Sequence, residues 1–223
     1  MRIFGKLLLW IIGLFVASTL AVVVIYKYVP VYITPLMVIR ACENNDFSWE
    51  HKWVPLEEIS ENMALAVISS EDNRYMQHNG FDFIEIQKAR EEAKRGKKQR
   101  GASTISQQTA KNVFLWPERS WVRKGLEAYF TLLIEWIWGK ERIMEVYLNS
   151  IEMGKAIYGV EAVAENNFRK QASKLTRSEA SLIAATLPNP IKFSSKYPSS
   201  YMKKRQRQIR SLMSKVENPH LGC

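Results

Sequence analysis

Residues 60–71 read Ser60-Glu61-Asn62-Met63-Ala64-Leu65-Ala66-Val67-Ile68-Ser69-Ser70-Glu71, and residues 72–80 continue Asp72-Asn73-Arg74-Tyr75-Met76-Gln77-His78-Asn79-Gly80. Ser60 can cap a helix, with Ile59 before it as a staple, and Met63, Ala66 and Val67 give that helix an apolar side. The second half is too polar for a core and too specific for a linker. It sets two adjacent carboxylates, Glu71 and Asp72, beside Arg74, Tyr75 and His78. A helix that ends on an acid walled by apolar residues is where a general base can be built. The spacing predicts a helical domain organised around Glu71, with the rest of the chain holding and electrostatically completing that acid.

Upstream, residues 7–26 carry no charge, from Leu7-Leu8-Leu9-Trp10 to Val24-Ile25-Tyr26. Twenty residues at about 1.5 Å each cross a bilayer core of about 30 Å. Arg2 and Lys6 precede the run and Lys27 follows it, which predicts a cytoplasmic N-terminus and an external domain. A cleaved signal peptide with Ala17-Ser18-Thr19 as its small-residue site is the competing reading. The apolar run continues through Val22-Val23-Val24-Ile25, too long for a signal core, so an uncleaved anchor is expected. Residues 28–39 hold two prolines, which predicts an extended or interfacial connector.

The chain has 223 residues, enough for an anchor plus one globular domain of about 150–190 residues. Its net charge of +10 implies a polyanion nearby: nucleic acid, anionic lipid or a phosphorylated substrate. Two cysteines, Cys42 and Cys223, exclude a disulfide framework and Cys-rich zinc motifs. Whether they pair is left open, and a terminal residue such as Cys223 is poorly tied down. His51, His78 and His220 form no metal-ligand spacing, so no metal site is expected from protein motifs.

Downstream, Asp82 can cap a helix with Phe83, Ile86 and Ala89 as its stripe, running into the basic, glycine-broken residues 94–100. Ser103 or Thr104 then caps a helix on which Gln107 and Lys111, and likewise Gln108 and Asn112, are four apart and share a face. Amides, a lysine and an asparagine stand where a core helix would show leucines, which suggests a sugar- or phosphate-binding side. Trp116-Pro117-Glu118-Arg119 breaks that helix, and Ser120 or Trp121 starts a long one. It sets Arg123 four residues before Glu127 and carries Leu126, Tyr129, Phe130, Leu133, Trp136 and Ile137 as its apolar stripe. Gly139 ends it, residues 140–149 form another helix, and Thr176-x-x-Glu179 is a capping box. A last, strongly basic helix over about 200–216 turns Met202, Ile209, Leu212 and Met213 inward. Nothing alternates like a strand for more than four or five residues. The soluble part is expected to be all-α, eight to ten helices in one domain.

Four segments carry a resemblance. Glu71-Asp72-x-x-Tyr75-x-x-His78-x-Gly80 resembles the first motif of the family-51 peptidoglycan glycosyltransferases, and Gly101-x-Ser103-Thr104-Ile105-x-Gln107-Gln108-x-x-Lys111-Asn112 resembles the second. Arg123-Lys124-x-x-Glu127 is similar to the third, and Arg142-Ile143-Met144-Glu145-x-Tyr147-Leu148-Asn149 with Gly154 and Tyr158-Gly159-Val160 to the fourth. The absence of a following transpeptidase segment implies the monofunctional branch. Two departures stand out: Tyr75 where the family more usually has phenylalanine, and Asn167-Phe168-Arg169-Lys170 where it often has Tyr-Phe-Gly-Lys.

The resemblance implies a lysozyme-like helical domain. The expected division is 1–6 cytoplasmic, 7–26 transmembrane, 27–45 connector and 46–223 glycosyltransferase domain. It implies a polymerase that joins the growing lipid-linked glycan to the 4-hydroxyl of lipid II N-acetylglucosamine, with inversion and release of undecaprenyl diphosphate. Glu71 is the implied base and Glu127 the second acid, which could hold a divalent ion, orient Arg123 or Lys111, or assist the leaving oxygen. Lys111, Arg119 and Arg123 would meet the diphosphate; Asp72, Tyr75, Ser103, Thr104, Gln107, Gln108 and Asn112 complete the substrate-binding set, with Asp72 and His78 shaping the loop that carries Glu71. Mg²⁺ or another divalent cation would ride on the phosphates, and no organic cofactor is implied. Expected partners are lipid II, the nascent glycan, membrane lipids and other cell-wall or division proteins. A lytic hydrolase of similar fold would not need the cation cluster, and the predicted outward topology argues against a nucleic-acid binder. The expected location is the bacterial inner membrane with the catalytic domain periplasmic.

Overall fold

A computed structural model describes residues 2–96, 101–118, 120–217, 219 and 221. Arg119, most of the basic loop at 97–100, His220 and Cys223 lie outside the described residues, and with them the expectations placed there. Helix α1 (Arg2–Tyr28) contains the segment Phe4–Tyr28, long and apolar enough to cross a membrane, with an 18-residue stretch of mean hydropathy 2.7 that is only 6% buried. The connector is not extended throughout. Its second half is helix α2 (Pro35–Asn44), because Pro35 sits at the first helical turn, where its missing N–H costs nothing, and the Thr34 hydroxyl accepts from Met37 N.

The short strand β1 (Glu50–His51) leads through a docked extended segment to α3 (Glu61–Glu71), α4 (Phe83–Lys94), α5 (Ile105–Phe114), α6 (Trp121–Ile137) and α7 (Gly139–Ser150). Strands β2 (Glu152–Gly154) and β3 (Ile157–Tyr158) follow, then α8 (Val160–Phe168), α9 (Arg177–Ala184) and α10 (Ser200–Met213). The expected all-α class holds. The three strands form a small sheet in the order β1-β3-β2, too short to leave an alternating signature. Asn149 pins the segment after β1 by bonding both Val54 N and Val54 O with its amide. Gly159 permits the turn into α8: its φ is +82°, and a Cβ there would lie 2.5 Å from Asn149 O.

The core forms where α5 packs on α6 and α7, and where α3 packs on α9 and α10. Residues 63–69 of α3 are all buried, so its last residue, Glu71, is carried on a rigid rod. The Ser60 hydroxyl makes no capping bond; it donates instead to Leu175 O, tying α3 to the turn before α9. Two predicted apolar stripes face outward in part. Phe83 of α4 is 74% exposed and Trp136 of α6 is 82% exposed, while Ile134, not assigned to the stripe, is fully buried.

The anchor is docked on the domain. Thr19 Oγ1 lies 2.8 Å from Tyr129 OH of α6, and Trp138 Nε1 donates to Val23 O at 2.7 Å. Arg142 of α7 donates to Tyr26 O at 2.8 Å and to Val29 O at 2.7 Å. A guanidinium thus meets the orphan carbonyls and negative dipole end of α1.

Candidate active site

Glu71 closes α3, and both its carboxylate oxygens are held. Ser70 Oγ donates to Oε1 at 3.0 Å and Gln108 Nε2 donates to Oε2 at 3.2 Å. The Tyr147 hydroxyl in turn donates to Gln108 Oε1 at 3.1 Å, fixing which way the amide points. A relay of Tyr147, Gln108 and Glu71 therefore links α7, α5 and α3.

The loop after Glu71 is framework. Asp72 Oδ2 accepts from Ile105 N at 3.0 Å and Oδ1 bonds His78 Nε2 at 3.0 Å. Thr104 Oγ1 donates to Gly80 O at 2.6 Å. Asp72, His78 and Gly80 thereby clamp the loop to the start of α5. Gly80 has φ +89°, and a Cβ there would press to 2.8 Å on Thr131 Cγ2.

The other half of the site stands on α5 and α6. A cleft of about 480 Å³ is lined by Ser103, Gln108, Lys111, Asn112, Arg123 and Glu127 among others. Ser103 also lines a smaller cavity of about 190 Å³ bordered by Glu71, so one side chain lies on the walls of both. Ser120 caps α6 through Arg123 N. One turn on, Arg123 Nη1 pairs with Glu127 Oε2 at 2.7 Å, a buried pair, and Lys124 pairs with the other Glu127 oxygen. Burial lowers the pKa of Lys111, against the pull of Glu127, while Arg123 and Lys124 lower it further.

Several residues predicted to touch substrate are placed elsewhere. Tyr75 is fully buried and its hydroxyl donates to Lys140 O at 2.7 Å, with the Lys140 ammonium over its ring, so it belongs to the core. Thr104 and Gln107 engage each other in a capping box, and their polar atoms hold the first turn of α5. Arg40, Lys124 and Glu152, absent from the predicted set, line the cleft. Lys124 adjoins Arg123 and shares the face of Glu127, a signal the sequence did carry; Arg40 falls inside the expected connector at 27–45.

Asp72, His78 and Asp82 place one ligand atom each within 4.8 Å of one another and can hold a metal ion. The motif spacing of histidines alone did not find this group. His78 Nε2 is already bonded to Asp72, and the Arg74 guanidinium lies 3.0 Å from Asp82 Oδ2, so a cation there would face a positive charge at close range. Glu127 fits a metal poorly, because each of its oxygens faces a cation.

Residues 39–214 match the family described as Transglycosylase. The chain is 60% identical over 206 residues to a biosynthetic peptidoglycan transglycosylase of Bacteroides thetaiotaomicron, covering 91% of this chain and 83% of that one. A protein of the same description from Bdellovibrio bacteriovorus is 56% identical, over 90% and 83% of the two chains. A third, from Pseudomonas entomophila, is 47% identical over 98% and 93%.

Proposed function

The chain belongs to the transglycosylase family of peptidoglycan glycosyltransferases, and from that membership we propose that it polymerises lipid II into glycan strands, with Glu71 as the base. The 4-hydroxyl of the acceptor N-acetylglucosamine loses its proton to Glu71 as its oxygen bonds the anomeric carbon of the donor. The bond from that carbon to the diphosphate breaks with its electron pair, an α linkage becomes β, and undecaprenyl diphosphate departs. This is the logic of an inverting displacement with a sugar hydroxyl in place of water.

One observation carries the reading: Glu71 is bonded by Gln108, and Gln108 lines the cleft that also holds Lys111 and the Arg123–Glu127 pair. Base catalysis contributes about 10²–10⁴ in rate. Cations set in advance around the developing diphosphate charge supply the remaining large effect. Glu127 keeps Arg123 and Lys124 aimed at the leaving group. The chemistry a divalent cation supplies when bound is charge neutralisation on phosphate oxygens, and no step here runs through one. Ser103 and Asn112 are the polar groups on the cleft wall for sugar and phosphate.

The anchor places this site at the membrane that holds the lipid substrate. Arg2 and Lys6 against Lys27 favour a cytoplasmic N-terminus, a periplasmic domain and the inner membrane. Thr19 lies nine residues before the end of α1, about 14 Å at 1.5 Å per residue, so its contact with Tyr129 lowers α6 toward the acyl chains. Trp121, Leu132 and Trp136 are exposed on α6 at spacings that share one face, and lipid, not water, is the solvent suited to them. Incubating the purified protein with lipid II tests the reading: a lengthening glycan supports it, and shortening of preformed glycan would make the protein a hydrolase.

A further inference from the structure

One wall of the cleft has no part in the mechanism above. Arg40 on α2 and Glu152 at the start of β2 both line it. They also border a second cavity of about 140 Å³, so the pair forms the partition between two spaces. Glu152 is 7% exposed and its partner across the partition is Arg40, with Nε 3.9 Å from Oε1. Burial raises the pKa of Glu152, Arg40 and Lys111 act to lower it, and Glu43 to raise it. One acid therefore feels both the cation on the membrane-proximal helix and the cation assigned to the diphosphate.

Arg40 is anchored at one corner and open at another. Its Nη1 pairs with Glu43 Oε2 at 3.0 Å, while its Nε is buried without a hydrogen-bond partner among the described residues. Helix α2 is fixed by the Thr34 cap and packs on α5, the helix that carries Lys111. A guanidinium offers five N–H donors in a planar fork that matches phosphate oxygens.

We propose that Arg40 is a donor-binding residue: its guanidinium joins Lys111 and Arg123 in holding the diphosphate of the polyprenyl-linked glycan, and Glu152 keeps it turned into the cleft. This rests on the polymerase reading given above. The diphosphate is then gripped between the segment that leaves the membrane and the catalytic domain, at the level where a lipid-borne diphosphate emerges. Helix α2 is part of the substrate site as well as a connector.

The test uses the full chain in detergent or liposomes, with Arg40→Gln, Arg40→Lys and Glu152→Gln. With lipid II, Arg40→Gln raises KM about tenfold and changes kcat less, in keeping with the loss of a hydrogen bond to a charged group. Inhibition by undecaprenyl diphosphate weakens by a similar factor in Arg40→Gln, and inhibition by undecaprenyl monophosphate changes less. Arg40→Lys recovers part of the loss, because it keeps the charge without the fork, and Glu152→Gln shows a smaller loss of the same kind. Equal KM and equal diphosphate inhibition in the wild type and a folded Arg40→Gln overturn the proposal. So does Arg40→Lys at wild-type values if Arg40→Gln does not fold. Should the wild type make no polymer, the polymerase reading fails, and direct binding of undecaprenyl diphosphate still reads the role of Arg40.

Discussion

The side-chain amide of Gln108 and the carboxylate of Glu71 meet at 3.2 Å across the ends of two helices, and the Tyr147 hydroxyl fixes the amide from behind. A base held this way keeps one orientation toward its substrate. Gln108→Ala removes a hydrogen bond to a charged group, worth about 1.5–3 kcal/mol. It should lower kcat about ten- to a hundredfold and move KM little; an unchanged kcat would show that the contact does not orient the base.

Arg123 and Glu127 form a buried pair at 2.7 Å. Glu127→Ala leaves two cations without their acid, and breaking a buried pair from one side costs about 3–5 kcal/mol. Thermal unfolding in detergent should show a marked drop in Tm together with lost polymerisation. Loss of activity at an unchanged Tm would place Glu127 in the chemistry alone.

Burial lowers the pKa of Lys111, so in the free enzyme its charge is lost at a pH below the usual lysine range. The protonated form is the one that meets diphosphate, so kcat/KM should fall on the alkaline side as Lys111 deprotonates. Lys111→Arg keeps its charge there and should carry the alkaline limb to higher pH, whatever its maximum rate. A limb that stays in place in this variant belongs to another group.

Arg169 ends α8 in the left-handed region at φ +56°, a conformation that glycine adopts without strain. A side chain in that conformation costs roughly 1–2 kcal/mol. Arg169→Gly should therefore raise thermal stability by a degree or more without changing activity. A lower Tm would mean that the arginine side chain contributes more than its backbone costs.

Trp136 is 82% exposed on the face of α6 beside the anchor. In liposomes carrying spin-labelled acyl chains, fluorescence quenching should drop in Trp136→Phe relative to the wild type. Equal quenching in the two would lift α6 out of the lipid.

The sequence was most legible where a local rule acts alone. The Thr176 capping box, the Ser120 cap and the Arg123–Glu127 spacing on α6 follow from positions three and four apart. The outward turn of Phe83 and Trp136 was not legible, because helical periodicity marks an apolar face without showing what covers it. The structural roles of Tyr75 and Gln107 were hidden for a related reason. A motif marks residues a site needs without separating those that touch substrate from those that hold its walls. Arg40 was missed because its partner, Glu152, lies 112 positions away in the chain, and only the fold brings them together.

The most direct measurement is polymerisation of lipid II by Glu71→Gln, with circular dichroism run on the same sample. The glutamine keeps the size of the side chain and can still meet Gln108 and Ser70, but it cannot take a proton from the acceptor hydroxyl. The account predicts unchanged helical dichroism and a loss of glycan polymer of at least about a hundredfold. Polymer formed at the wild-type rate by the folded variant would contradict it.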